Sequence, residues 1–295
     1  MASAPRLRVP PPPPLETHRG QGIGFINDTA SKAGKEGRPV LLTFDEMPEW
    51  FRRESNQWIL HGYRPISGSA HASFCNWSYI HNESVTIYSH LIPAVSFLLG
   101  EWHIQQYLTS RYSGVTSADF IVFSIYMLTA GMCLSLSATY HTLMNHSYLT
   151  LVFPRLIDWG FRNVDHLHDN ASHVLGRRKY RLFRAFMFVA TGLSGVAPLI
   201  QGLNVSGMSQ MMRKAFPYTL AKAGCLLFGT AFYATRFLER RYPGKFDLWG
   251  SHSIFHILVV CAAVVQLMGY LDAFDYSHAN LARLFELLEM KHAFG

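Results

Sequence analysis

The sequence predicts an all-α fold: a polytopic transmembrane helix bundle with five recognisable spans and a cytosolic N-terminus. Three observations predict it. Five apolar segments each approach the roughly 20 residues that cross a bilayer. Apolar side chains make up 49% of the 295 residues and charged ones only 15%, a balance unlike that of an ordinary soluble domain. Lys and Arg are also unequally shared between alternate loops. A net charge of +7 would suit nucleic acid or anionic lipid. The basic residues are scattered, however, with no basic helix and interleaved aromatics, so no nucleic-acid partner is expected.

Residues 1–40 combine Pro, Gly and charge with few large apolar groups, including "PPPPPLE", and are expected to form a disordered tail. No apolar core follows the first basic residues, so no cleavable signal sequence is expected. Residues 41–80 form an amphipathic cytosolic segment. Trp50, Phe51, Trp58, Ile59 and Tyr63 stand among charges there, which predicts a short amphipathic helix on the membrane face or on the spans.

The transmembrane domain covers 81–276, with spans near 87–108, 118–140, 184–203, 216–237 and 253–272, and a C-terminal tail over 277–295. Glu101 and His103 interrupt the first span, and a carboxylate at that depth is costly unless it pairs or reaches an interface. Pro93 and Pro198 are tolerable, because neighbouring helices can satisfy the freed carbonyls. Cys75, Cys133, Cys225 and Cys261 show no C-x-x-C spacing and imply no disulfide framework.

Loops 141–183 and 238–252 hold Arg155, Arg162, Arg177, Arg178, Lys179, Arg181, Arg240, Arg241 and Lys245, whereas the other side holds Arg111, Arg213 and Lys214. The positive-inside rule therefore puts the N-terminus in the cytosol. The end of the second span and the start of the fifth then share the cytosolic face.

Those two ends carry histidines. Ser137 and His141 lie four apart in "SLSATYH", and His252 and His256 lie four apart in "SHSIFH", so each pair shares a helix face. Three neutral imidazoles with an open fourth position form a catalytic zinc arrangement; interfacial histidines that bind nothing are the alternative. H-E-x-x-H is absent, which argues against a zincin-type protease. Upstream, Glu83, Thr86 and His90 of "HNESVTIYSH" fall on one helix face, and simple helix capping would account for Glu83.

The ordered motifs "GYRP" (62–65), "HNESVTIYSH" (81–90), "LSATYHTLMNHS" (136–147), "YRLFRAFMFVATGLSGVAP" (180–198), "RYPGKFDLWGSHSIFH" (241–256) and "LDAFDY" (271–276) resemble the progestin and adipoQ receptor (PAQR) family. It is also called the hemolysin III or adiponectin-receptor-like family, and the nearest branch resembles the fungal Izh proteins implicated in zinc homeostasis. The resemblance implies seven spans around a zinc ion near the cytosolic face. Its ligands would be His141, His252 and His256, with Ser137 lining the site. It also implies a zinc-dependent lipid amide hydrolase of ceramidase type, a signalling receptor for an extracellular protein ligand, or a regulator of lipid, sterol and zinc homeostasis. Ceramide or sterol-like membrane lipids would be its partners. Its place would be the endoplasmic reticulum, another endomembrane or the plasma membrane.

The chain departs from that pattern at 148–179, where the third and fourth family spans are expected and no 20-residue apolar run occurs. A product truncated in this middle, with impaired activity, is therefore a further reading. Asp158 in "LIDWGF" stands as the candidate remnant of the family aspartate that hydrogen-bonds the zinc-bound water. "DHLHDNASH" (165–173) reads as an ordinary loop. Losing two spans preserves parity, so the three histidines stay on one face, with weaker metal binding expected because the groups orienting the ligands are incomplete.

Overall fold

The computed structural model describes residues 40–53, 55–112, 114–146, 186, 196–213 and 216–293. Asp158, the 148–179 stretch, the N-terminal tail up to residue 39 and residues 184, 185 and 187–195 of the predicted span 184–203 lie outside them. The described residues form helices, and their only β pairing is the isolated bridge between Leu42 and Tyr63.

A short helix, α1 (Ala70–Cys75), starts from Ser69, whose hydroxyl accepts the Ala72 N–H. After one 3-10 turn over Asn76–Ser78, the chain enters α2 (Ser84–Arg111), which passes through Pro93 without ending. It reverses at a tight turn into α3 (Ser117–Leu143). The reversal is encoded locally: Thr116 caps the new helix, and Asp119 returns a bond to the Thr116 N–H at 2.9 Å, a capping box. The helices α4 (Val196–Arg213), bent at Gly207, α5 (Phe216–Thr235) and α6 (Phe237–Arg241) follow. The last helix, α7, runs from Ser251 to Ala293.

The predicted C-terminal tail over 277–295 is thus helical up to Ala293. Its stretch "LARLFELLEMKH" is built of helix formers without Gly or Pro, so nothing stops propagation.

α2, α3 and α7 pack through Ala94, Phe97, Met127 and Leu134, against which Val260, Ala263 and Leu267 of α7 lie. Glycines set the separations. A Cβ on Gly131 would stand 2.8 Å from the Leu98 side chain, and one on Gly269 2.7 Å from Tyr218 Cβ, so backbones approach closely in both α2–α3 and α5–α7. Tyr126 adds a cross-helix bond to the Ala263 carbonyl at 2.6 Å. Glu101, the costly residue of the first predicted span, accepts hydrogen bonds from Gln105 (2.6 Å) and Ser124.

Large apolar side chains cover the outward faces, among them Ile92, Leu99 and Trp102 on α2 and Ile121, Ile125 and Leu136 on α3. Water does not suit a contiguous surface of that kind. Among the described residues, Ser117–Leu143 and Ser251–Asn280 are long and apolar enough to cross a membrane. With 28 and 20 residues, α2 and α5 have the length but carry more polar groups.

The predicted amphipathic helix of the N-terminal segment does not form. Residues 40–66 make a turn-rich strap closed by paired backbone bonds between Leu42 and Tyr63, at 2.7 and 2.9 Å. Pro48, Pro65 and a left-handed Gly62 (φ 85°) break helical continuity. The aromatic residues therefore do not form a stripe. Phe51 and Tyr63 instead join Leu42, Met47 and Ile66 in a small core of their own. Asp247 fastens the strap to the loop before α7, accepting the N–H groups of Leu60 at 2.9 Å and His61 at 3.0 Å.

Candidate metal centre

His141 lies in the last turn of α3, and His252 and His256 in the first two turns of α7. Because α3 and α7 present these ends at one end of the bundle, the three rings meet. Their centroids are 4.6 Å (252–256), 4.8 Å (141–256) and 5.2 Å (141–252) apart. One nitrogen from each ring can be chosen so that all lie within 4.8 Å. His141 and His256 are buried and His252 is half-buried.

The donor set fits a metal ion. His252 Nε2 and His256 Nε2 stand 3.2 Å apart, while two nitrogens on one tetrahedral zinc, each about 2.0–2.1 Å from it, stand about 3.3–3.4 Å apart. On His141, Nδ1 lies 2.9 Å from Glu83 Oε2. A carboxylate only accepts, so Nδ1 carries the proton and Nε2 keeps its lone pair for a ligand bond.

Glu83 therefore does more than end a helix. It occupies the N-cap position of α2 but makes no side-chain capping bond, its carboxylate going to His141 instead. Burial alone would push this carboxyl up; the hydrogen bond from His141 and the positive charge of Arg64 hold it down, to about 2. Two residues upstream, His81 Nδ1 accepts the Glu83 N–H at 3.1 Å.

The other sequence candidates divide. His90 is buried beside the cluster, with its ring 4.1 Å from that of His256 and its Nε2 3.2 Å from the His256 carbonyl oxygen. Ser137 is half-buried one turn before His141 and makes no side-chain hydrogen bond among the described residues. Asp158 lies outside them. A contact absent from the sequence reading joins Thr86 Oγ1 to Ser253 Oγ at 3.2 Å, tying α2 to the turn that holds His252. Its only sequence signal was the placement of Thr86 between Glu83 and His90 on one face.

Residues 78–167 and 161–267 match the family described as haemolysin-III related. The chain belongs to this family. All three clustered histidines fall inside the matched residues. The haemolysin-III-related chain is 32% identical to the ADIPOR-like receptor IZH2 of Saccharomyces cerevisiae, over 89% of this chain and 93% of that protein. It is 32% identical to Progestin and adipoQ receptor-like protein 1 of Caenorhabditis elegans, over 86% of this chain and 64% of that protein. To the Adiponectin receptor protein of Drosophila melanogaster it is 30% identical, over 77% of this chain and 58% of that protein. It thus spans less than two thirds of the worm and fly relatives. The PAQR resemblance and its fungal Izh branch are borne out. As a haemolysin-III-related protein the chain is integral to a membrane, which supplies the apolar surroundings that α2 and α3 require.

Proposed function

We propose that the protein is a polytopic membrane protein with a cytosolic N-terminus, in which His141, His252 and His256 hold one zinc ion at the cytosolic face and serve hydrolysis of a lipid amide of ceramide type. The observation that carries this reading is the convergence of three imidazoles, two of them buried, from α3 and α7, with ligand atoms within 4.8 Å. Among the described residues the group comprises three, and a catalytic zinc site keeps three protein ligands with a fourth position open, whereas a structural one closes with four. When bound, zinc supplies Lewis acidity toward an amide carbonyl and toward the water that attacks it.

The chain's own residues supply the rest. Glu83 holds His141 in one tautomer, and the His90 ring packs on His256 and donates to its backbone carbonyl. The apolar flanks of α2 and α3 meet the acyl chains of membrane lipid, so a ceramide or sterol-like molecule reaches the cluster from within the bilayer. Endoplasmic reticulum, another endomembrane or plasma membrane would each supply such lipids.

A second reading, a receptor or regulator in which zinc ties α3 to α7, is favoured by the names of the yeast and fly relatives, both of which are called receptors. One experiment separates the two. Full-length protein in lipid nanodiscs is analysed for bound zinc and for fatty acid released from ceramide, beside His252→Ala. One zinc per chain with hydrolysis that His252→Ala abolishes supports the hydrolase. Zinc that raises thermal stability, with every lipid amide left intact, makes the site structural. No zinc in the wild-type protein defeats both.

A further inference from the structure

Two buried charges outside the histidine cluster grip the backbone of the helix ends that carry it. Arg64, 3% exposed, donates from Nη2 to the carbonyl oxygen of His141 at 2.7 Å and from Nη1 to that of Thr142 at 2.9 Å. These carbonyls belong to the last turn of α3, which lacks intrahelical partners. Glu239, 1% exposed, accepts the N–H of Ser251 at 2.9 Å and its hydroxyl at 2.5 Å, next to His252. Its other oxygen accepts from Arg236 Nη1 at 3.1 Å. Arg236 is the one non-glycine residue with positive φ (53°) among the described residues, and its guanidinium lies 5.9 Å from the centre of the Tyr233 ring, which in turn faces His252 at 5.6 Å.

Each charge matches the helix end it meets: a cation at the C-terminus of α3 and an anion at the N-terminus of α7. Ending a helix does not require a buried charge, since a local cap suffices. The opposite end of this bundle shows as much, where the neighbouring residues Thr116 and Asp119 cap α3. A buried ion pair is also weak as a source of net stability. What the two clamps have in common is that each ends on, or beside, the backbone of a clustered histidine.

We infer that Arg64 and Glu239 are positioning residues of the metal centre, fixing the main chain at His141 and His252 so that the imidazoles meet before any ion arrives. The inference rests on the zinc reading, and its test separates the two. Full-length Arg64→Met, Arg64→Lys, Glu239→Ala and Glu239→Gln are prepared in nanodiscs. Zinc affinity is measured by chelator competition, site geometry by the visible absorption of the cobalt-substituted protein, and amide exchange over 139–144 and 251–256.

Arg64→Met and Glu239→Ala are expected to keep one metal per chain but bind it about 10–100-fold more weakly, as when groups orienting a ligand are lost, with an altered cobalt spectrum. Arg64→Lys and Glu239→Gln recover part of the loss, since each keeps part of the original hydrogen-bond set. If the variants that fold bind zinc within two-fold of wild type with an unchanged spectrum, the inference is overturned. Should the Met and Ala variants fail to fold, the Lys and Gln variants decide on the same criteria. Should wild type bind no zinc, the zinc reading fails alone and exchange decides. Faster exchange at 251–256 in Glu239→Gln and at 139–144 in Arg64→Lys upholds the clamps, and unchanged exchange removes them.

Discussion

Glu83 Oε2 and His141 Nδ1 lie 2.9 Å apart, so the N-terminal end of α2 orients an imidazole on the last turn of α3. A carboxylate in that position fixes the tautomer and raises the basicity of the free nitrogen. Glu83→Ala is therefore expected to weaken zinc binding about 10–100-fold, and Glu83→Gln less, because an amide oxygen can accept the same bond. Isothermal titration with zinc after chelator treatment checks this. Equal affinity for Glu83→Ala and wild type would show that the contact orients nothing.

How far this centre can be read from the sequence depends on the kind of contact. The pairing of His252 with His256 is legible because the helix repeat puts residues four apart on one face. Their meeting with His141 was expected from the loop charges, which put the end of the second predicted span and the start of the fifth on one face. The role of Glu83 is not legible, since a cap and a ligand-orienting carboxylate occupy the same sequence position and only the partner across the bundle distinguishes them. "GYRP" marked Arg64 as part of a motif but not its role, because its carbonyl partners lie 77 and 78 residues away. The strap misled because aromatic residues spaced among charges satisfy a helix stripe as well as a small closed core. Its Pro48 and Gly62 were the local evidence against helix.

Ligand deletion is expected to be all-or-none. His141→Ala, His252→Ala and His256→Ala each remove one of three donors and should lower bound zinc from one per chain to near zero. Ser137→Ala should leave zinc within two-fold of wild type, since the Ser137 hydroxyl makes no hydrogen bond to a clustered histidine. Elemental analysis of the purified variants reads both. Zinc lost from Ser137→Ala would give the serine a part in binding that its position does not explain.

Acid sensitivity should trace in part to His81. Its ring is buried and its Nδ1 accepts the Glu83 N–H, a bond that a doubly protonated ring cannot accept. Burial first, and then the nearby Arg64 charge, lower its pKa from the ordinary 6.5 to about 3. The folded state thus keeps His81 neutral while the unfolded chain binds a proton, so the stability contribution is complete above pH 6.5 and declines as pH falls toward 3. His81→Asn keeps an acceptor and does not titrate. In zinc-free buffer its melting temperature should fall less between pH 7 and pH 5 than that of wild type, and parallel curves for the two proteins would refute this.

Helix spacing gives the last prediction. At Gly269 of α7 an added Cβ would lie 2.7 Å from Tyr218 Cβ, and at Gly131 of α3 2.8 Å from Leu98 Cγ, distances at which something must move. Tyr218 offers its Cβ, fixed by the backbone of α5, whereas Leu98 presents the end of a side chain that can change rotamer. Gly269→Ala should therefore be the more damaging, by about 1–3 kcal/mol, and Gly131→Ala milder. Gly224, also helical, has open space where a Cβ would go, and its replacement by alanine should stabilise by about 0.5–1 kcal/mol through chain entropy alone. Because α7 also carries His252 and His256, forcing it away from α5 should weaken zinc binding in Gly269→Ala as well as lower its melting temperature. A melting-temperature order other than Gly224→Ala above wild type, then Gly131→Ala, then Gly269→Ala would mean that backbone contact does not set the separation of these helices.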